Sequence, residues 1–117
     1  MLADPQSLTI NAVATSFPRT QQGPTNSTYT TADGLKTFIV KQNVTAKRFR
    51  REIRLSQDKI AADPISAVNA LAGVSTYLVI DEPRNGVFSD VEIGYLLEAM
   101  KTWLSSTNYN KVLGGEA

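Results

Sequence analysis

Val44-Thr45-Ala46-Lys47-Arg48-Phe49-Arg50-Arg51-Glu52-Ile53-Arg54-Leu55-Ser56 is strongly basic, yet its apolar residues alternate. Phe49, Ile53 and Leu55 share one parity with Lys47 and Arg51, whereas Arg48, Arg50, Glu52 and Arg54 share the other. Successive side chains of a β-strand point to opposite faces of the sheet. The pattern therefore predicts a strand over 45–57 that packs one face on apolar material and presents three arginines on the other. Such a ribbon suits the phosphate backbone of a nucleic acid. The competing reading is a solvated strand face with snorkelling arginines.

The distribution of charge sharpens the contrast. The chain carries 12 basic and 11 acidic residues, a net charge of +1. Positions 36–60 hold eight basic residues and two acids, Glu52 and Asp58, a local charge of +6; the remainder, four basic and nine acidic, carries −5. Clustered basic residues of this kind are an electrostatic footprint for an anionic partner.

The 117 residues fit a single domain over 1–117, with 42% apolar content. No run approaches the roughly 18 to 20 apolar residues of a membrane span, and Met1-Leu2-Ala3-Asp4-Pro5-Gln6 does not read as a signal peptide. There is no cysteine and no histidine, which removes disulfides, Cys/His zinc sites and the commonest catalytic nucleophile and base. The carboxylate pairs Asp81/Glu82 and Asp90/Glu92 have structural explanations, a turn before Pro83 and the opening of a helix. Neither an enzyme, a cofactor nor a small-molecule substrate is expected.

Working outward, Ser7–Ala14 alternates Leu8 and Ile10 against Thr9 and Asn11 and reads as a strand; a short edge strand is expected around 15–20, where Pro18 denies a ladder donor. Gly23-Pro24 marks a loop, 27–31 has strand composition, and Asp33-Gly34 is the strongest hairpin signal. The next strand is expected over 35–43, with Thr37, Ile39 and Lys41 on one face and Phe38 and Val40 on the other. Residues 61–73 read as a loop or a short helical turn, and Val74–Asp81 as a strand of nearly continuous apolar character. Ser89-Asp90-Val91-Glu92 is a capping box. Ile93, Leu96, Leu97, Met100 and Leu104 follow it at i, i+3, i+4, i+7 and i+11, one apolar stripe with Trp103 beside it. Residues 105–110 are expected to interrupt before a last turn at Lys111-Val112-Leu113.

Strands followed by a helix make an α+β fold, with the helix laid on one face of an antiparallel sheet. One helix of about 17 residues cannot cover a sheet of five strands, roughly 24 Å wide at ~4.8 Å per strand. An apolar face left open marks an interface. A symmetric dimer in which each chain donates its helix to the other is therefore expected.

The succession Lys36-Thr37-Phe38-Ile39-Val40-Lys41-Gln42, then Arg48-Phe49-Arg50-Arg51-Glu52-Ile53-Arg54-Leu55, then Ser75-Thr76-Tyr77-Leu78-Val79, then the Ser89-Asp90-Val91-Glu92 helix resembles, in order and spacing, the coat proteins of single-stranded RNA bacteriophages, the Qbeta-like branch most of all. The resemblance spans nearly the whole chain and is firmest from Leu35 onward. It implies an N-terminal β-hairpin, a five-stranded antiparallel sheet and one or two C-terminal helices packed on the partner subunit's sheet in an interlocked homodimer with one continuous sheet. It further implies dimers closing into an icosahedral shell, usually T=3, in a virion assembled in the bacterial host's cytoplasm. The inner sheet face would bind single-stranded genomic RNA and an RNA hairpin whose capture represses translation; no membrane partner is implied.

Carried over by position, the RNA-facing residues would be Thr37, Lys41, Arg48, Arg50, Glu52, Arg54 and Thr76, and the dimer contacts Ile93, Leu96, Leu97, Met100 and Leu104. Glu52 amid arginines either forms a cross-strand ion pair or accepts from a base amino group. Two departures stand out. Residues 61–73 correspond to the family's long loop at the fivefold and quasi-sixfold axes, where Qbeta-type coats place crosslinking cysteines; this chain has none. The family's stacking aromatic also has no clear equivalent, since Tyr77 falls on the helix-side parity, which weighs against the hairpin role more than against packaging. The alternative is a small cellular single-strand-binding or RNA-chaperone protein with a basic sheet face.

Overall fold

The computed structural model describes residues 2–62, 65 and 69–117 and divides into two compact units, Met1–Glu82 and Pro83–Ala117. The first unit opens with a hairpin of β1 (Gln6–Ile10) and β2 (Val13–Phe17), followed by β3 (Arg19–Gln22), β4 (Asn26–Thr30), β5 (Lys36–Val44), β6 (Arg48–Ala62) and β7 (Asn69–Pro83). β3 to β7 form a five-stranded sheet in sequence order, a meander with β3 and β7 at its edges. The second unit carries α1 (Asp90–Trp103) and α2 (Ser106–Leu113). The expected α+β architecture of hairpin, five-stranded sheet and C-terminal helices is the observed one.

Local chemistry explains where the strands begin and end. The stretch expected as one strand over 7–14 is a hairpin, because Asn11 and Ala12 take φ of 52° and 61° and pair Ile10 with Val13 across a two-residue loop. Two left-handed residues in such a loop match the twist of the flanking strands. Alanine advertises no turn, so the alternation Leu8, Ile10, Ala12 seemed to run on. Pro18 falls between β2 and β3, and β3 is a four-residue edge with a bulge near Thr20. Asp33-Gly34 forms its hairpin: Gly34 has φ 73°, the Gly34 N–H donates to the Thr31 carbonyl, and the Asp33 carboxylate accepts from the Thr31 hydroxyl and the Leu35 N–H. These bonds, the Thr31 hydroxyl first, hold the Asp33 carboxyl below the usual carboxylate range.

Both ends of the segment expected as a loop or short helical turn over 61–73 are strand. β6 runs through 62 and β7 starts at 69. Positions 63, 64 and 66–68 lie outside the described residues. β5 pairs with β6 only from Phe49 to Gln57, so β6 continues past the end of β5.

Among the described residues the fully buried large side chains are Phe17 and Tyr29. Tyr29 packs on Phe38 with ring centroids 6.0 Å apart, and Arg19 lies over the Tyr29 ring and donates to its hydroxyl at 3.0 Å. The same guanidinium bonds the Leu2 carbonyl at 2.7 Å, and the Arg19 N–H donates to the Asp4 carboxylate at 2.9 Å, which ties the N-terminal arm to the sheet.

In the helical unit, the Ser89 hydroxyl caps α1 by accepting from the Glu92 N–H at 3.2 Å, with Asp90 and Glu92 in the first turn and Lys101 in the last. The interruption expected over 105–110 is confined to 104 and 105: Leu104 leaves helical geometry and α2 begins at Ser106. Asn108 Nδ2, donating to the Trp103 carbonyl at 2.8 Å, spans the break. Neither helix has a buried residue. Leu96 is 65% exposed, Met100 51%, Trp103 54% and Leu104 55%, while Ile93 and Leu97 are half-buried. No helix among the described residues is long and apolar enough to cross a membrane.

Candidate nucleic-acid interface

The β5–β6 register separates the two faces as the alternation requires. Phe38 lies opposite Leu55, Val40 opposite Ile53 and Val44 opposite Phe49 on an apolar face. Thr37 lies opposite Ser56, Ile39 opposite Arg54, Lys41 opposite Glu52 and Asn43 opposite Arg50 on the other. Thr28 and Thr30 of β4 join that second face through Ile39 and Thr37. Thr37, Lys41, Arg50, Glu52 and Arg54 thus share one surface, with Arg48 at its end.

The side of β7 is fixed by cross-strand partners. Arg48 Nε donates to an Asp81 carboxylate oxygen at 2.6 Å, and the Arg54 guanidinium lies over the Tyr77 ring at 4.9 Å. Odd-numbered β7 residues therefore stand with the even-numbered arginines. Arg51, on the apolar face, pairs with buried Glu82 at 2.6 Å and lies over the Phe49 ring. Asp81 and Glu82 are consecutive, point to opposite faces and each meets an arginine on its own face. They do not form a carboxylate dyad.

Two expectations change as a result. Thr76 lies on the apolar face, where it lines a small cavity with Ile10, Leu55 and Val74 and donates to the Leu55 carbonyl at 3.1 Å. It does not stand with the arginines. Tyr77, expected on the helix side, is on the arginine side and 61% exposed. The run Val74–Ile80 is nearly all apolar, so no alternation betrayed its parity. The legible signal was the charge match of Asp81 with Arg48 and of Glu82 with Arg51.

The electrostatics are more graded than a row of bare arginines. Arg54 Nη2 bonds Glu52 at 3.1 Å within the same strand, so Glu52 forms an in-strand pair where a cross-strand one was expected. Arg48 is held by Asp81, and its Nη2 reaches the Asp81 carbonyl at 3.4 Å. Among the described residues, Lys41 and Arg50 have no acidic group within ion-pair distance. The surface thus offers two standing cations, two neutralised arginines, an exposed aromatic ring, and the Thr28 and Thr37 hydroxyls. Such a set can hold phosphates, stack a base and bond sugar hydroxyls.

No family model matches the sequence, and no curated protein matches it. Solved structures do. The subunit of the virus-like particle of bacteriophage AVE019 superimposes with a TM-score of 0.84 over 98% of this chain and 97% of its own, at 15% identity. The bacteriophage GA capsid protein gives 0.64 over 97% and 95% at 10% identity, and the virus-like particle of Wenzhou levi-like virus 1 gives 0.59 over 95% and 96% at 14%. At these identities the likeness is one of fold, and it runs end to end: the chain has the fold of levi-like phage coat proteins.

Proposed function

We propose that the chain is the coat protein of a single-stranded RNA bacteriophage, a structural subunit that dimerises, closes into an icosahedral shell and packages RNA against its arginine face. The observation that carries this reading is the end-to-end likeness to a virus-like-particle subunit, 98% of one chain on 97% of the other. The open surfaces support it. Both helices lack a buried residue, and Ile53 and Val74 on the apolar sheet face are 37% and 65% exposed. A second copy that lays its helices on this face buries both surfaces at once, with Ile93, Leu96, Leu97, Met100 and Leu104 at the contact. β7 is an unpaired edge of 15 residues, long enough to join the same strand of a partner into one sheet. Edge β3 is short, bulged and preceded by proline, which disfavours pairing there.

RNA binding rests on Lys41, Arg48, Arg50 and Arg54 for phosphates, with Thr37 and Glu52 within the same surface. Tyr77 adds a stacking platform of the kind that single-stranded loops use, which returns the capture of an RNA hairpin, and with it translational repression, to the reading. The chain has no cysteine, so the shell in the virion is held by non-covalent contacts and withstands reductant. A small cellular single-strand-binding protein also accounts for Tyr77 beside arginine, but it leaves the open helices without a use. Electron microscopy of the purified protein separates the two: closed shells with nuclease-protected RNA support the coat reading, and a small RNA-free dimer refutes it.

A further inference from the structure

We infer that Arg48 is a latent phosphate ligand that Asp81 holds shut, so that RNA binding at this end of the sheet is an exchange of one anion for another. The inference rests on the RNA-binding reading above and concerns how that face is set.

Three observations lead to it. Arg48 and Asp81 are bonded through Nε at 2.6 Å, yet their side chains are 51% and 47% exposed. A pair so open to solvent is held weakly and exchanges readily. The Arg54–Glu52 pair differs: Glu52 is 17% exposed and Arg54 also lies over Tyr77, so that arginine is fixed in place by its ring and its acid together. Arg50 stands between the two, opposite Asn43, with no acidic partner among the described residues. The face is thus stepped: Arg50 and Lys41 stand open, Arg48 opens on exchange, and Arg54 is fixed.

Asp81 enters through its position. It shares the parity of Tyr77 on β7, so its carboxylate projects on the face that meets RNA and not into the apolar side. The second bond from Arg48, to the Asp81 backbone carbonyl at 3.4 Å, survives loss of the carboxylate. The arginine would stay in place with its charge freed.

The exchange has a thermodynamic signature. A phosphate neutralised by a free cation releases a condensed counterion, which steepens the salt dependence of binding. A phosphate that takes Arg48 from Asp81 also frees a carboxylate, which gathers a cation from solution. The two effects offset, so Arg48 adds little to the salt slope of the native protein. Asp81 thereby lowers affinity for RNA in general, and binding becomes easier to reverse.

The test uses the intact chain as dissociated dimers and a single-stranded RNA oligonucleotide of about 20 nucleotides, titrated by fluorescence anisotropy from 50 to 200 mM salt. Asp81→Asn should tighten binding at 50 mM salt by up to about fivefold and steepen the slope of log K against log salt by about 0.7. Arg48→Ala alone should leave the slope nearly unchanged, and Arg48→Ala with Asp81→Asn should lose the added slope. If Asp81→Asn proves poorly folded by circular dichroism, Asp81→Ser serves the same test. An affinity and slope equal to those of the native protein in a folded Asp81 variant would overturn the inference while the RNA reading stands. Absence of salt-dependent RNA binding by the native protein would overturn the RNA reading itself.

Discussion

Lys41 and Arg50 carry the central electrostatic prediction, because they are the cations of the arginine face without an acidic partner among the described residues. Replacing both with alanine removes two phosphate contacts per chain and breaks no ion pair. For single-stranded RNA each neutralised phosphate contributes about 0.7 to the salt slope, so the double variant should flatten it by about 1.4. Over the fourfold range from 50 to 200 mM, that change corresponds to about sevenfold less loss of affinity than the native protein suffers. The assay is anisotropy titration of dissociated dimers with a fluorescent single-stranded oligonucleotide at five or more salt concentrations. Thermal unfolding run alongside should show a stability change within the range typical of surface substitutions, about 0.5 kcal/mol. An unchanged slope with intact folding would refute the assignment of this face to phosphate, and collapse of the fold would show that the two cations are structural.

Other surfaces give independent checks. Leu97→Ala, in the stripe expected at the dimer contact, should weaken the dimer by roughly 2–5 kcal/mol if the partner buries it fully, read as a downward shift of the concentration-dependent unfolding midpoint. Tyr29→Ala, at the centre of the small core, should cost about 3–5 kcal/mol in chemical denaturation; a loss under 1 kcal/mol would place the core elsewhere. Ala12→Gly should stabilise the hairpin by up to about 1 kcal/mol, since alanine at a φ of 61° bears a left-handed cost that glycine escapes. The Asp33 carboxyl is held below its ordinary range in the fold, so its contribution is present above the unfolded value near 3.9 and is lost as pH falls through the lower folded value. Asp33→Asn should therefore flatten the acid limb of the stability curve and leave its relative shape above pH 6 unchanged.

Legibility of the fold followed the clarity of alternation. β5 and β6 mix polar and apolar residues at period two, and their faces could be read directly from Phe38 and Val40 against Thr37 and Lys41, and from Phe49 and Ile53 against Arg48 and Arg50. The capping serine of α1 was equally plain, because few other arrangements place Ser and Glu three apart before an apolar stripe. β7 was different. Its central run is apolar on both parities, so only the cross-strand charges orient it, and Thr76 and Tyr77 stand on the faces opposite to those expected. The turn at Asn11-Ala12 is hard to read because alanine rarely takes the left-handed conformation it has here. The pairing of Arg48 with Asp81 lies beyond composition: charge counting along the chain gives a block of +6, while on the folded face two of the three arginines, Arg48 and Arg54, are paired with acids, and Asp81 is a neighbour of Arg48 only in space.

The most direct test of the account is negative-stain or cryo-electron microscopy of the recombinant protein together with its absorbance ratio at 260 and 280 nm. Closed icosahedral shells that contain nuclease-protected RNA and stay intact under reductant are the expected result. A monodisperse dimer with a protein-only spectrum, at concentrations where coat proteins assemble, would contradict it.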